Sequence, residues 1–189
     1  MGAGGQREAG SVAYEIHTAR LTMRPRRAAD VVALNALAAN PAVAPNLCTT
    51  IAAEGGSSLA IAERMSGRLI GGTEHGSGGL GSGIEMSVWI GEPDWGQGYA
   101  TEAAHALIDH LFASDPAERI WCSARAANER ARAVIAKCGF QFRGTGMVRV
   151  AGRGAFPVER FALDRRSWLS LKDWAARGGG RHAVAGTAA

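Results

Sequence analysis

The residues best suited to chemistry lie between Glu85 and Leu107, in the stretch EMSVWIGEPDWGQGYATEAAHAL. Ile84, Met86, Val88 and Ile90 alternate with Glu85, Ser87 and Trp89, which is the period of a strand with one buried face. A turn rich in Gly, Pro and Asp follows. Gly96-Gln97-Gly98-Tyr99-Ala100 then runs into a helix whose apolar stripe is Ala100, Ala103, Ala104, Leu107, Ile108, Leu111 and Phe112. The first N–H groups of a helix have no intrahelical partner, and the macrodipole adds positive potential there. Glycines just ahead of such a helix let a phosphate approach those groups. By spacing alone, a plain loop with glycines for turning is an equal alternative.

Other motifs exclude themselves. There is no GxxxxGK[ST]. Gly76-Ser77-Gly78-Gly79-Leu80-Gly81 matches GxGxxG but leads into a strand, whereas a dinucleotide fingerprint needs a helix after it. It reads instead as part of a glycine-rich loop over 72–83. The three cysteines, Cys48, Cys122 and Cys138, are odd in number and form no CxxC or Cys/His cluster, which argues against a disulfide framework and against zinc. Cys122 and Cys138 sit among apolar residues and read as small buried hydrophobes. No metal site is expected.

The elements that must position the glycine turn follow from periodicity. Leu21, Met23 and Pro25 mark a first strand. Asp30 is placed to cap a helix carrying Val31, Leu34, Leu37 and Ala38, which Asn40-Pro41 ends. Leu59 and Ile61 mark a second strand, Ser66-Gly67 a turn, and Arg68–Gly71 a third strand. After the 84–90 strand and the long helix, which Asp115-Pro116 ends, come a strand at Ile120–Ala124 and a helix with Ala131, Val134, Ile135 and Cys138. Gly139 stands at its C′ position. Strands follow at Phe140–Arg143, Met147–Val150 and Phe156–Leu163, and Asp164 opens a last helix through Trp168 and Trp174. Antiparallel hairpins in front and a β-α-β-α core behind make the chain α+β.

The 189 residues form one domain over 13–176, long enough to bury roughly 70% of its unfolded surface without a staple. Residues 1–12 and 177–189 read as disordered. The first residues carry no apolar run of a signal peptide, and no stretch is long enough to span a membrane, so a cytoplasmic protein is expected. Net charge is +4, from scattered arginines that form no basic stripe, which speaks against nucleic acid.

With these residues in place, the sequence resembles the GNAT superfamily of N-acetyltransferases, in the branch that includes the ribosomal-protein N-terminal acetyltransferases. WGQGYATEA closely resembles that family's pyrophosphate loop. HTARLTMRP (17–25) is similar to its opening strand, IEMSVWI (84–90) to its fourth strand, and Asn128 with KCGF (137–140) to its last helix and the Gly-Phe after it. FALDRRSW (161–168) is similar to its closing strand and helix. Together the matches cover roughly residues 16–170, in the family's order.

The resemblance implies a GNAT fold, a mixed but mostly antiparallel sheet of about seven strands. Its fourth and fifth strands splay, and the pantetheine arm of acetyl-CoA lies between them. Backbone groups of Val88, Trp89 and Ile90 would bind that arm. Trp95, Gly96, Gln97, Gly98, Tyr99, Ala100 and Thr101 would form the pyrophosphate site, and Asn128 would bond the pantetheine or the thioester end. The implied reaction is direct attack of a neutral amine on the thioester. It asks the protein to juxtapose two reactants, accept a proton and polarise a carbonyl. Glu85, on the strand face opposite Met86 and Val88, is the candidate base; a solvated or ion-paired strand carboxylate is its alternative. Glu102, in a helix's first turn, suits the macrodipole better. His75, in the glycine loop, and His105, on the helix away from its mouth, are set aside. Trp89 and Trp95 are read as packing against the sheet, with a place in the lining of the acceptor cleft as the alternative.

Three positions depart from the family pattern. Trp95 stands where many members have Gln or Arg, Ala131 where this branch has Ser, and Ile135 where many members place a Tyr general acid. Residues 41–58 are also short for one wall of the acceptor cleft. An open acceptor site lined by that segment and the 72–83 loop is expected, suiting a peptide or protein N-terminus, unless a homodimer partner closes it around a small-molecule amine. A non-catalytic acyl-CoA-binding regulatory module on the same fold is the alternative of a different class. A ligand that binds only the folded state raises its melting temperature. Acetyl-CoA is therefore expected to raise Tm in a thermal-shift assay and NADH at equal concentration to leave it unchanged; the reverse pattern would refute the reading.

Overall fold

The computed structural model describes residues 14–48, 57–77, 83–150, 152 and 154–177. The terminal segments expected to be disordered lie outside these, apart from Arg177. In chain order the elements are β1 (Ile16–His17), β2 (Leu21–Pro25), α1 (Asp30–Ala39), β3 (Ser57–Glu63), β4 (Leu69–Ser77), β5 (Ile84–Ile90), α2 (Tyr99–Ser114), β6 (Arg119–Ala124), α3 (Glu129–Lys137), β7 (Gln141–Val150), β8 (Gly154–Asp164) and α4 (Arg165–Ala176). The strands form one sheet of eight in the order β1-β2-β3-β4-β5-β6-β8-β7. Every pairing is antiparallel except β5 with β6, which the crossover helix α2 joins as a βαβ unit. The extra two-residue strand β1 makes the 84–90 strand the fifth.

Alternation divides the sheet into two faces. Leu21, Met23, Leu59, Ile61, Ile84, Met86, Ile120, Cys122, Phe161 and Leu163 pack against Ala103, Leu107, Leu111 and Phe112 of α2. On the other face a smaller cluster joins Ala60 and Trp89 to Leu34 and Ala38 of α1. The carbonyl end of α2 is closed by Arg165, which donates to Phe112 O at 2.6 Å and Ala117 O at 3.0 Å, and also to Asp115 O. A cation at a helix C-terminus satisfies orphan carbonyls and suits the macrodipole.

Four local readings change. Much of the expected glycine loop is strand: β4 runs on to Ser77, and Gly72, Glu74 and Gly76 pair with Trp89, Ser87 and Glu85. Phe140–Arg143 and Met147–Val150 are not separate strands, since β7 is continuous, with a register shift between Phe142 and Gly144. Asp30 does not cap α1. It is the first helical residue, after Ala29, and its carboxylate turns back to accept from Arg27 N at 2.8 Å and from Arg24 at 2.6 and 3.0 Å. Asp164 opens α4 without a side-chain capping bond and is held by Arg119 and Arg143 instead. Gly139 has φ of +83° at the end of α3, as a C′ glycine should.

The Arg24–Asp30 pair is almost fully buried, with side chains 13% and 7% exposed. Removing one partner of such a pair leaves an uncompensated charge, so Asp30→Asn is expected to cost about 3 kcal/mol in urea denaturation. The hydrogen bond from Arg24, with further help from Arg27, outweighs burial and holds the Asp30 carboxyl below its ordinary range. A depressed folded-state pKa gives stability that is present above the unfolded value, about 3.9, and lost as pH falls through the folded one. The stability gap between wild type and Asp30→Asn should therefore narrow below about pH 4; a gap constant down to pH 2 would contradict the assignment.

Candidate functional site

The site begins where two strands part. β5 and β6 are paired only at Ile84↔Ile120 and Glu85↔Trp121. Beyond Glu85, β5 keeps its partner β4 on one side and, among the described residues, has none on the other. Gly91 N donates to Ile70 O at 2.8 Å, so the peptide of Gly91 faces the β4 side. Alternation then turns the peptide groups of Val88 and Ile90 toward the opening. Those of Trp89 face β4, so of the three backbone positions expected to bind the pantetheine arm, Val88 and Ile90 face the opening and Trp89 does not. The Ile90 carbonyl already accepts from Trp95 Nε1 at 2.7 Å. The Trp89 side chain packs beneath α1 and is 8% exposed.

The glycine turn lies at the open end of this fork. Gly96 and Gly98 have φ of +77° and +80°, the left-handed region that favours glycine. Gly98 is the N-cap of α2 and offers no side-chain capping bond, so the helix's first amides are not closed off by a cap. Arg20 braces the turn from outside, donating to Gln97 O at 2.9 Å and to Glu102 at 2.7 Å. Glu102 also accepts from Thr18 Oγ1 at 2.5 Å. Its carboxylate thus fastens the 18–20 segment to α2. Tyr99 turns inward, its hydroxyl donating to Glu63 at 3.1 Å beneath the Arg20 guanidinium. Asp94 is buried and held by Arg68 at 2.9 and 2.7 Å.

Fork and turn enclose a cavity of about 430 Å³. That lies within the usual size of a small-molecule site. Val88, Trp89, Ile90, Trp95, Gly96, Gly98, Tyr99, Ala100, Thr101 and Asn128 all line it. Gln97 does not. Asn128 caps α3 by accepting from Ala131 N at 3.1 Å, which leaves its amide N–H groups to turn to a ligand. Sequence reasoning missed Ser123, Arg130 and Lys137, which also line the cavity. A helical signal existed for two of them: Arg130, Val134 and Lys137 fall on one face of α3. Cys122 and Cys138 line it as well, and burial pushes both thiols up, Cys138 to about 12, away from the thiolate form that acts as a nucleophile.

Glu85 sits at the vertex of the fork, on the same face as Ser87 and Trp89. It does not itself line the cavity. Its carboxylate accepts from Ser123 Oγ at 3.4 Å, and Ser123 is part of the wall. Glu74, 7% exposed, stands across from Ser87 and is paired with Arg26 at 3.4 Å. His75 lies on β4 rather than in a loop, beside Met86 and within 2.8 Å of the Tyr14 hydroxyl. Burial, with a smaller effect from His110, pushes it down to about 4, so it is neutral near pH 7. Val43, Asn46, Leu47 and Cys48 form another wall, tied to the end of β6 by Arg125, which donates to Pro45 O at 2.6 Å. The rest of the expected acceptor wall, 49–56 and 78–82, lies outside the described residues. Among the described residues no group of three or more His, Cys, Asp or Glu could hold a metal ion, and no helix is long and apolar enough to cross a membrane.

Comparison with known proteins supplies independent evidence. Residues 20–141 match the family model described as acetyltransferase (GNAT) domain. No curated protein matches the chain. Among solved structures, RimJ from Mycobacterium smegmatis in complex with CoA-disulfide superposes with a TM-score of 0.69 at 20% identity, covering 89% of this chain and 96% of that one. The ribosomal-protein-S5-alanine acetyltransferase of Vibrio fischeri gives 0.66 at 14% identity, covering 82% and 98%. An acetyltransferase from Agrobacterium tumefaciens gives 0.65 at 21%, covering 85% and 100%. At these identities the likeness establishes the fold.

The left-handed conformation of Gly98 sharpens one expectation. A β-branched residue there is strained as well as obstructive, at a cost of about 1–3 kcal/mol. Gly98→Val is expected to fold with a lower Tm and to lose affinity for acetyl-CoA at least tenfold by calorimetry, estimated roughly from the lost amide contacts. Wild-type affinity in the folded variant would remove the turn from the site.

Proposed function

The chain belongs to the GNAT acetyltransferase domain family and is an acyltransferase, and from that premise we propose that it moves the acetyl group of acetyl-CoA directly onto a primary amine. The observation that carries this reading is the fork: β5 offers an unpaired edge at Val88 and Ile90, next to two left-handed glycines at the start of α2. The cradle suits a diphosphate, since at Gly96 nothing lies within 4 Å of where a Cβ would stand and an anion can approach the backbone. Acetyl-CoA supplies an acetyl group already activated as a thioester.

The residues then have separable tasks. Val88 and Ile90 hold the pantetheine arm as an added strand would be held, and the amides of Gly98 to Thr101 hold the diphosphate. A backbone N–H at Val88 polarises the thioester carbonyl. Fixing donor and acceptor together supplies much of the rate acceleration, through effective molarity. Glu85 takes the proton from the amine nitrogen at the vertex, reaching the cavity wall through Ser123. Ile135 lines the cavity with no hydroxyl to offer, so as the C–S bond breaks the departing CoA thiolate takes its proton from water or from another group. The likeness to a protein described as a ribosomal-protein-S5-alanine acetyltransferase supports a peptide or protein N-terminus as acceptor over a small amine.

With Glu85 as base, Glu85→Gln is expected to lower kcat by roughly 10²–10⁴ at neutral pH and to leave acetyl-CoA affinity unchanged. Turnover equal to wild type would make Glu85 structural. Acceptor class is decided by specificity constants: a short peptide with a free N-terminus should exceed spermidine and free amino acids, and a small amine well above every peptide tested would reverse the assignment. A folded protein that binds acetyl-CoA yet releases no CoA with any amine would be a binding module instead.

A further inference from the structure

The diphosphate of CoA is a dense anion, and the turn proposed to receive it contains no cation. Residues 91–101 (GEPDWGQGYAT) carry two acids and no Lys or Arg. The nearby arginines are committed elsewhere: Arg20 is bound to Glu102, and Arg68 to Asp94 and Glu63. Two cations line the cavity, Arg130 and Lys137, and neither has a carboxylate partner among the described residues. They are seven residues apart on α3, about 10 Å of helix. Arg130 is the one at the turn, its guanidinium 4.7 Å from the centre of the Trp95 ring.

Trp95 is a fixed platform. Its indole N–H is tied to Ile90 O at 2.7 Å, and its backbone immediately precedes Gly96. A guanidinium stacked on an indole keeps its N–H edges free for in-plane hydrogen bonds, while the ring limits where it can go. Resting on the proposed reading of the cavity as the acyl-donor site, we propose that Arg130, held across the mouth of the fork on Trp95, is the cation that binds the CoA diphosphate. The turn supplies backbone amides from one side and α3 supplies the charge from the other. Acetyl-CoA binding thereby bridges α3 to the start of α2.

Isothermal titration tests this with acetyl-CoA, 3′-dephospho-acetyl-CoA and S-acetylpantetheine, which lacks the diphosphate. Arg130→Ala is expected to weaken the first two by the same factor, roughly tenfold or more for a lost charge-assisted contact, and to leave the third unchanged. The salt dependence of acetyl-CoA binding should become shallower. Arg130→Lys should recover part of the loss. Adding Arg130→Ala to Trp95→Leu should cost less than adding it to wild type, because the platform is already gone. Wild-type affinity in Arg130→Ala overturns the inference. So does a loss that disappears with the 3′-dephospho compound, or one that extends equally to S-acetylpantetheine. If wild type itself binds no acetyl-CoA, the acyl-donor reading falls first and this inference with it.

Discussion

The rest of the molecule depends on β5 and β6 staying paired for two residues and no more. β5 is held along its whole length by β4, from Gly71↔Ile90 to Ser77↔Ile84. β6 is held along its whole length by β8, from Arg119↔Asp164 to Ala124↔Glu159. The sheet is therefore two firmly laddered halves joined at Ile84–Glu85 and Ile120–Trp121. Parting the strands leaves peptide groups without ladder partners, and a buried one left unsatisfied costs about 1–3 kcal/mol. The fold offsets part of this through the Trp95 indole on the Ile90 carbonyl. The remaining groups are the ones that an extended ligand can bond.

Charge is organised around the same opening. The scattered arginines that give the chain its mild positive balance act mostly as clamps: Arg20 on the turn, Arg24 on the start of α1, Arg68 on buried Asp94, Arg165 on the end of α2. These contacts fix backbone at both ends of the crossover helix and so fix the direction of its free amides. Arg130 differs, since its guanidinium lies over the Trp95 ring and not against a carboxylate. The acids divide in the same way. Glu102 and Asp94 are bound into structure, while Glu85 accepts from the Ser123 hydroxyl at the vertex.

The parts of this arrangement written as local period were legible in the sequence. The alternation of Ile84 to Ile90 and the seven-residue apolar stripe of α2 located the fork's inner strand and the helix that follows its glycine turn. Glycine misled where its use was tertiary. Gly72 looks like loop, yet it is a strand position under crowding: a Cβ there would meet the Trp89 indole nitrogen at 3.1 Å. Gly146 in β7 has the same origin, with the Arg160 guanidinium lying across it. Asp30 looked like a cap because its spacing suited one, but a buried arginine six residues earlier competes better for its carboxylate. The Arg130–Trp95 stack joins residues 35 apart in sequence and no periodicity announces it. The inward turn of the Trp89 peptide follows from register with β4, which only the folded sheet reveals.

The most direct test of the fork as the acyl-donor site reads its backbone amides one by one. In a CoA titration followed by amide NMR and hydrogen exchange, Val88 and Ile90 and the stretch from Gly96 to Thr101 should shift together with a single affinity and gain protection. The neighbouring amide of Trp89, already turned toward β4, should gain little protection. Saturable CoA binding that leaves Val88, Ile90 and the 96–101 amides unmoved would contradict the assignment.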